Sequence, residues 1–144
     1  MCATGLAASK TYGYLNPANV EITDDIIEQN GDANAFTFAS SATIGGGEYT
    51  LGEDEFLIID SRKRYLYMTG TYNSFNVSES PNIIDGAINP EYIFTAKQLL
   101  DGTWKITNKA MEKYFQFSKK HNSWGAYQTE QAEAVMPTLY VITE

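Results

Sequence analysis

The chain has 144 residues, 43% of them hydrophobic, and a formal net charge of −8, which suits one globular domain with a core of its own. That acidity excludes the basic footprint needed to bind nucleic acid or to dock on an anionic membrane. A single cysteine excludes an internal disulfide, and no stretch approaches the ~20 apolar residues of a membrane span.

The N-terminal MCATGLAASK has neither a charged n-region nor an apolar h-region, so it does not read as a secretory signal. Met directly before Cys2 has two readings: a start codon placed ahead of a lipidated cysteine, or a cysteine there by chance. Residues 1–10 are expected to be a flexible segment and residues 11–144 a single domain. Gly13-Tyr14-Leu15 and Ala35-Phe36-Thr37-Phe38 carry a faint version of a pattern that recurs clearly downstream, the first matching Arg64-Tyr65-Leu66 and the second Glu91-Tyr92-Ile93-Phe94. Between them, residues 23–28 predict a short helix, with Thr23 as cap, Asp24 and Asp25 in the first turn and Asn30-Gly31 as the stop. Gly45-Gly46-Gly47 predicts a turn between strands. The acidic turn Gly52-Glu53-Asp54-Glu55 stands ahead of a strand over residues 56–59.

Residues 64–78, RYLYMTGTYNSFNVS, predict a β-hairpin. Leu66 and Met68 share one face, Tyr65, Tyr67 and Thr69 the other, and residues 70–73 form the turn. Phe75 and Val77 resume the apolar face. Residues 91–94 predict the next strand, and Asp101-Gly102 opens another over residues 103–107. The hairpin then recurs as KYFQFSKKHNSWGAY, residues 113–127. Tyr114, Asn122 and Ser123 match Tyr65, Asn73 and Ser74 at a constant offset, and Phe115, Phe117 and Trp124 match Leu66, Met68 and Phe75. Its turn falls at residues 119–122. A helix is expected over residues 129–135, ahead of Pro137, and a final strand over residues 138–142.

Repeats at about 11–38, 47–94 and 101–142, each of about 45 residues, predict an all-β fold. Within that class the expectation is a β-trefoil-like barrel of two clear units and one degenerate unit, with another small barrel or a sandwich as the alternative.

The sequence offers little for catalysis. His121 is the one histidine, and no GxSxG, HExxH, CxxC or P-loop pattern occurs. No catalytic residue, metal ligand set or cofactor is expected. Asp24-Asp25 and Glu53-Asp54-Glu55 could attract calcium, but they lack the alternating spacing of a calcium loop and read as solvated turns. The remaining candidates are aromatics beside amides at the hairpin tips: Tyr72, Asn73, His121, Asn122 and Trp124. A sugar presents an apolar C–H face and a rim of hydroxyls, which aromatic platforms and amides suit. A structural reading competes: Phe75 and Trp124 lie on the core face, and both asparagines suit turns. Tyr67, Tyr127 and Gln116 are weaker candidates, read first as strand surface.

The paired Y-x-x-x-[ST]-x-x-x-N-S-[FW] units, with GYL near Tyr14, AFTF near Phe36 and the closing MPTLYVI, resemble a β-rich module. That module occurs in secreted and surface-anchored proteins of gut bacteria, often C-terminally, including lipoproteins and nuclease-like proteins. The resemblance spans about residues 12–142. It implies an extracellular or cell-surface accessory without catalytic residues. The leading expectation is therefore a non-catalytic, extracellular or surface-anchored module that binds a glycan. A structural or protein-interaction domain of a surface protein is the alternative, and a carboxylate-dependent hydrolase is third. No nucleic-acid partner is expected.

Overall fold

The structure is a computed structural model. It describes residues 36–60, 63–70, 73, 75–116, 125–131, 134 and 136–137, and the backbone of 117–118 and 123–124. It also gives the backbone of four short strands, β1 (Cys2–Ala3), β2 (Ile22–Thr23), β3 (Ile26–Ile27) and β16 (Leu139–Tyr140). The fold is all-β. Among the described residues the one helical element is a 3-10 turn, Pro90–Tyr92, capped by the Asn89 side chain. No helix in the described residues is long and apolar enough to cross a membrane.

Most of the alternating apolar stretches form the strands they predict; residues 91–94 are the exception, a 3-10 turn over Pro90–Tyr92 with the strand starting only at Phe94. In chain order the strands are β4 (Thr37–Ala39), β5 (Ser41–Ile44), β6 (Gly47–Thr50), β7 (Glu55–Ile59), β8 (Tyr65–Tyr67) and β9 (Asn76–Ser78). They continue as β10 (Ile83–Ile84), β11 (Ala87–Ile88), β12 (Phe94–Gln98), β13 (Trp104–Asn108), β14 (Tyr114–Ser118) and β15 (Ser123–Tyr127). Eight of them make one antiparallel sheet, in the order β15-β14-β13-β12-β7-β8-β9 with β4 also on β7. Among the described residues the path is open: β9 and β15 do not pair as strands, and the sheet they bound is not closed into a barrel.

The duplication read from the sequence is present in the register. Tyr65, Leu66 and Tyr67 face Ser78, Val77 and Asn76. Forty-nine positions on, Tyr114, Phe115 and Gln116 face Tyr127, Ala126 and Gly125. The bends before the two hairpins also match. Lys63 and Glu112 both hold the left-handed backbone, with φ of 63° and 56°. Asp60 N–H donates to the Arg64 carbonyl at 2.9 Å, and Asn108 N–H to the Lys113 carbonyl at 2.8 Å. Each unit thus has four strands, β4-β7-β8-β9 and β12-β13-β14-β15. Thr37 faces Ile59 as Thr95 faces Thr107, which makes Phe36, rather than Phe38, the counterpart of Phe94.

Both units fill one core. Phe36, Ile58, Leu66, Met68 and Phe75 from the first pack with Phe94, Ile106, Phe115 and Ala126 from the second. Phe115 meets Phe75 and Phe94 at ring-centroid distances of 4.5 and 5.5 Å. A smaller core of Leu57, Ile88, Tyr92 and Ile93 lies under β5, β6 and β10. There Tyr67 stacks on Tyr92 at 4.8 Å, and the Tyr92 hydroxyl is 2.7 Å from Ser78 Oγ.

Several expectations are corrected. In place of the helix expected at 23–28, Ile22 and Thr23 pair with Ile27 and Ile26. The described residues of 129–135 are turn and coil, because Gln116 ties them down: its Nε2 donates to the Thr129 carbonyl at 2.9 Å and its Oε1 accepts the Gln131 N–H at 2.8 Å. Gln116 is accordingly fully buried rather than at the strand surface. The faint repeat over 11–35 lies outside the described residues apart from β2 and β3.

Candidate functional site

The sequence points first to the two hairpin tips. Tyr72, His121 and Asn122 lie outside the described residues, and Trp124 is described only as backbone, paired with Phe117. Asn73 is exposed, as a tip residue should be. Its carbonyl accepts the Ala126 N–H at 2.9 Å, so the first hairpin reaches across to the last strand of the second. Phe75 is buried in the main core, in line with its structural reading.

A second region takes shape around β5–β6 and β10–β11. Each pair is closed by a two-residue turn with positive φ at both positions: Gly45 and Gly46 at 58° and 82°, Asp85 and Gly86 at 51° and 77°. Such turns follow the right-handed strand twist and favour glycine and aspartate. Between the two hairpins lies a groove of about 560 Å³, within the size range of small-ligand sites. Its buried lining is Ile88 and Ile93, with Leu51 and Tyr49 half-buried beside them. Ile84, 47% exposed, and Pro90 line it nearer solvent.

Among the described residues the polar lining is mostly acidic: Glu48, Glu55 and Asp85, with Lys109 as the one basic residue lining it. Lys109 Nζ lies 2.7 Å from Glu55 Oε2, and Glu55 Oε1 accepts the Gly52 N–H at 2.9 Å. The hydrogen bond from Lys109 holds the Glu55 carboxyl below the usual carboxylate range, with the Gly52 N–H adding to it and burial opposing. The acidic turn is therefore organised around this ion pair. Among the described residues no three of His, Cys, Asp and Glu stand together as a metal site. Beneath the groove, burial pushes the Tyr92 phenol up, with the Ser78 hydrogen bond opposing.

Sequence reasoning missed this groove. The signal was available at Asp85-Gly86, which stands between Ile83-Ile84 and Ala87-Ile88 as a short hairpin signature. Nothing in the sequence linked that hairpin to β5–β6, more than thirty residues upstream. No family model matches the chain, and neither a curated protein nor a solved structure matches it.

Proposed function

We propose that this domain is a non-catalytic binding module, extracellular or surface-anchored, whose ligand is a glycan. The groove is the observation that carries the reading: Tyr49 and aliphatic residues beside carboxylates and turn backbone, in a space of about 560 Å³. An apolar surface next to convergent polar groups is what a sugar ring requires. The hairpin tips, with Tyr72, Asn73, His121, Asn122 and Trp124, are the second candidate site, and Cys2 is the candidate lipid anchor. The trefoil-like barrel is proposed with it. Two four-stranded units of matching register support it, and a third unit from the N-terminal residues would complete the threefold arrangement.

Three carboxylates line the groove, which a two-carboxylate hydrolase would also need. Glu55, however, is held in its ionised form by Lys109, the opposite of what a general acid requires. A protein-interaction role is the second reading, favoured by Leu100, which stands fully exposed at the β12–β13 turn. The test is a binding screen of the purified domain against a broad glycan panel, read by tryptophan fluorescence and thermal shift. A saturable hit weakened by Tyr49→Ala assigns the groove. One weakened instead by Tyr72→Ala or His121→Ala assigns the tips. A blank panel moves the function to a protein partner.

A further inference from the structure

The two units share strand order and hairpin register, so each serves as a control for the other. They differ most between their first and second strands. Eighteen positions separate Ala39 from its partner Leu57, and eight separate Lys97 from its partner Lys105. The second unit crosses that gap with a plain turn, closed by the Leu99 N–H to the Thr103 carbonyl at 2.8 Å. The first unit carries the hairpin β5–β6 there, ten residues from Ser41 to Thr50, which accounts for the difference. The insert leaves and rejoins the unit at one point, where the Leu51 N–H donates to the Ser40 carbonyl at 2.9 Å. Its pairing runs within itself, from Ser41↔Thr50 to Ile44↔Gly47, outside the large sheet.

That insert supplies Glu48, Tyr49 and Thr50 to the groove, and the residues after it supply Leu51, Gly52 and Glu55. Without it, one side of the groove would be missing. We infer that β5–β6 is a recognition insert on a repeated scaffold, and that the groove it completes takes uncharged saccharides and rejects acidic ones. The inference rests on the glycan reading above and narrows it. Charge decides the sugar class. Among the described residues three carboxylates line the groove, and the one amine, on Lys109, is engaged by Glu55 at 2.7 Å. A uronate or sulfate would meet like charges with no described cation released to receive it, whereas the hydroxyls of a neutral sugar can donate to carboxylates while its ring stacks a C–H face on Tyr49.

The test uses the full chain and a variant that joins Ser40 directly to Leu51, removing Ser41 to Thr50. Tyr49→Ala and Asp85→Ala are made beside it. Each is checked by circular dichroism and thermal unfolding, then titrated with neutral cello- and xylo-oligosaccharides and with oligogalacturonate. The expected result is binding of a neutral oligosaccharide by the full chain, with oligogalacturonate weaker by at least about tenfold. The excised variant is expected to fold and to lose binding, and Tyr49→Ala to bind about tenfold more weakly. Neutral binding unchanged in the folded excised variant overturns the insert's role and leaves the glycan reading standing. If the excised variant does not fold, unchanged affinity in both point variants overturns it equally. Tighter binding of oligogalacturonate overturns the charge argument, and no saccharide bound by the full chain overturns both readings.

Discussion

The Asn73 carbonyl accepts the Ala126 N–H at 2.9 Å, which joins the tip of the first hairpin to the last strand of the second. Gly125 makes the approach possible. A Cβ at that position would stand 2.6 Å from the Asn73 oxygen, closer than packed atoms tolerate. In the first unit the matching position is Asn76, and it faces Tyr67 as Gly125 faces Gln116. Among the described residues the second hairpin receives its neighbour's tip, and glycine stands where that contact closes.

Gly125→Ala is therefore expected to destabilise the domain by about 1–3 kcal/mol, the cost of overpacking a closed contact. Urea unfolding monitored by fluorescence measures it. A midpoint equal to that of the parent chain would show that the tip can move aside freely.

Asn108 is fully buried at the end of β13, with both ends of its amide in use. Its Nδ2 donates to the Glu91 carbonyl at 2.9 Å and its Oδ1 accepts the Met111 N–H at 3.0 Å. Glu91 also accepts the Met68 N–H at 3.1 Å, so this carbonyl ties the two units together. Asn108→Ala leaves the Met111 N–H without this acceptor and is expected to cost about 2–3 kcal/mol. The denaturant midpoint should fall with an unchanged slope.

Gln116→Met keeps the volume and removes the clamp on residues 129–131. Loss of two buried hydrogen bonds is expected to lower stability by about 1–2 kcal/mol. Hydrogen exchange at the Gln131 amide should accelerate more than at the Ala126 amide, because the loop opens before the sheet does. Equal acceleration at both would mean that Gln116 supports the sheet as a whole.

The Glu55–Lys109 pair gives a pH signature. Hydrogen bonding from Lys109, assisted by the Gly52 N–H, lowers the folded-state pKa of Glu55 below its ordinary value of 4.5. The pair's contribution is thus complete above that value and fades as pH falls through the lowered one. The groove is open to solvent, and the gain is about 0.5 kcal/mol. Glu55→Gln is expected to be less stable than the parent by that amount at pH 7, and equal to it once acid has protonated Glu55. Thermal melts of both proteins from pH 7 to pH 2, repeated in 1 M salt where the difference should shrink, check it.

Period-two alternation made Leu66, Met68 and Phe115 legible as core, and a fixed offset made the duplication legible before any pairing was known. Strand partners were less accessible. Phe38 matched Phe94 by pattern, yet the register selects Phe36, because alternation fixes a face and leaves the partner open. Gln116 read as strand surface because a polar side chain shows its identity in the sequence and its hydrogen-bond partners only in space. The groove depends on two hairpins far apart in the chain, and no local pattern records that meeting. Three of the five predicted tip residues fall outside the described residues, so the tips rest on sequence and on Asn73.

The sharing of β7 has a thermodynamic consequence. Ile59 pairs with Thr37 on one edge and Tyr65 on the other, while Phe56 and Glu55, at the strand's opposite end, pair with Phe94 and Thr95. One strand thus serves as the template for both units, and their aromatic rings interlock in one core. Repeats of a linear array can melt one by one from the ends. Here the pairing of β7 with β12 makes the two halves one sheet and their side chains fill one core, so parting them would expose buried surface on both; the two should melt together, with calorimetric and van't Hoff enthalpies in agreement. The duplication is modular in sequence and indivisible in energy.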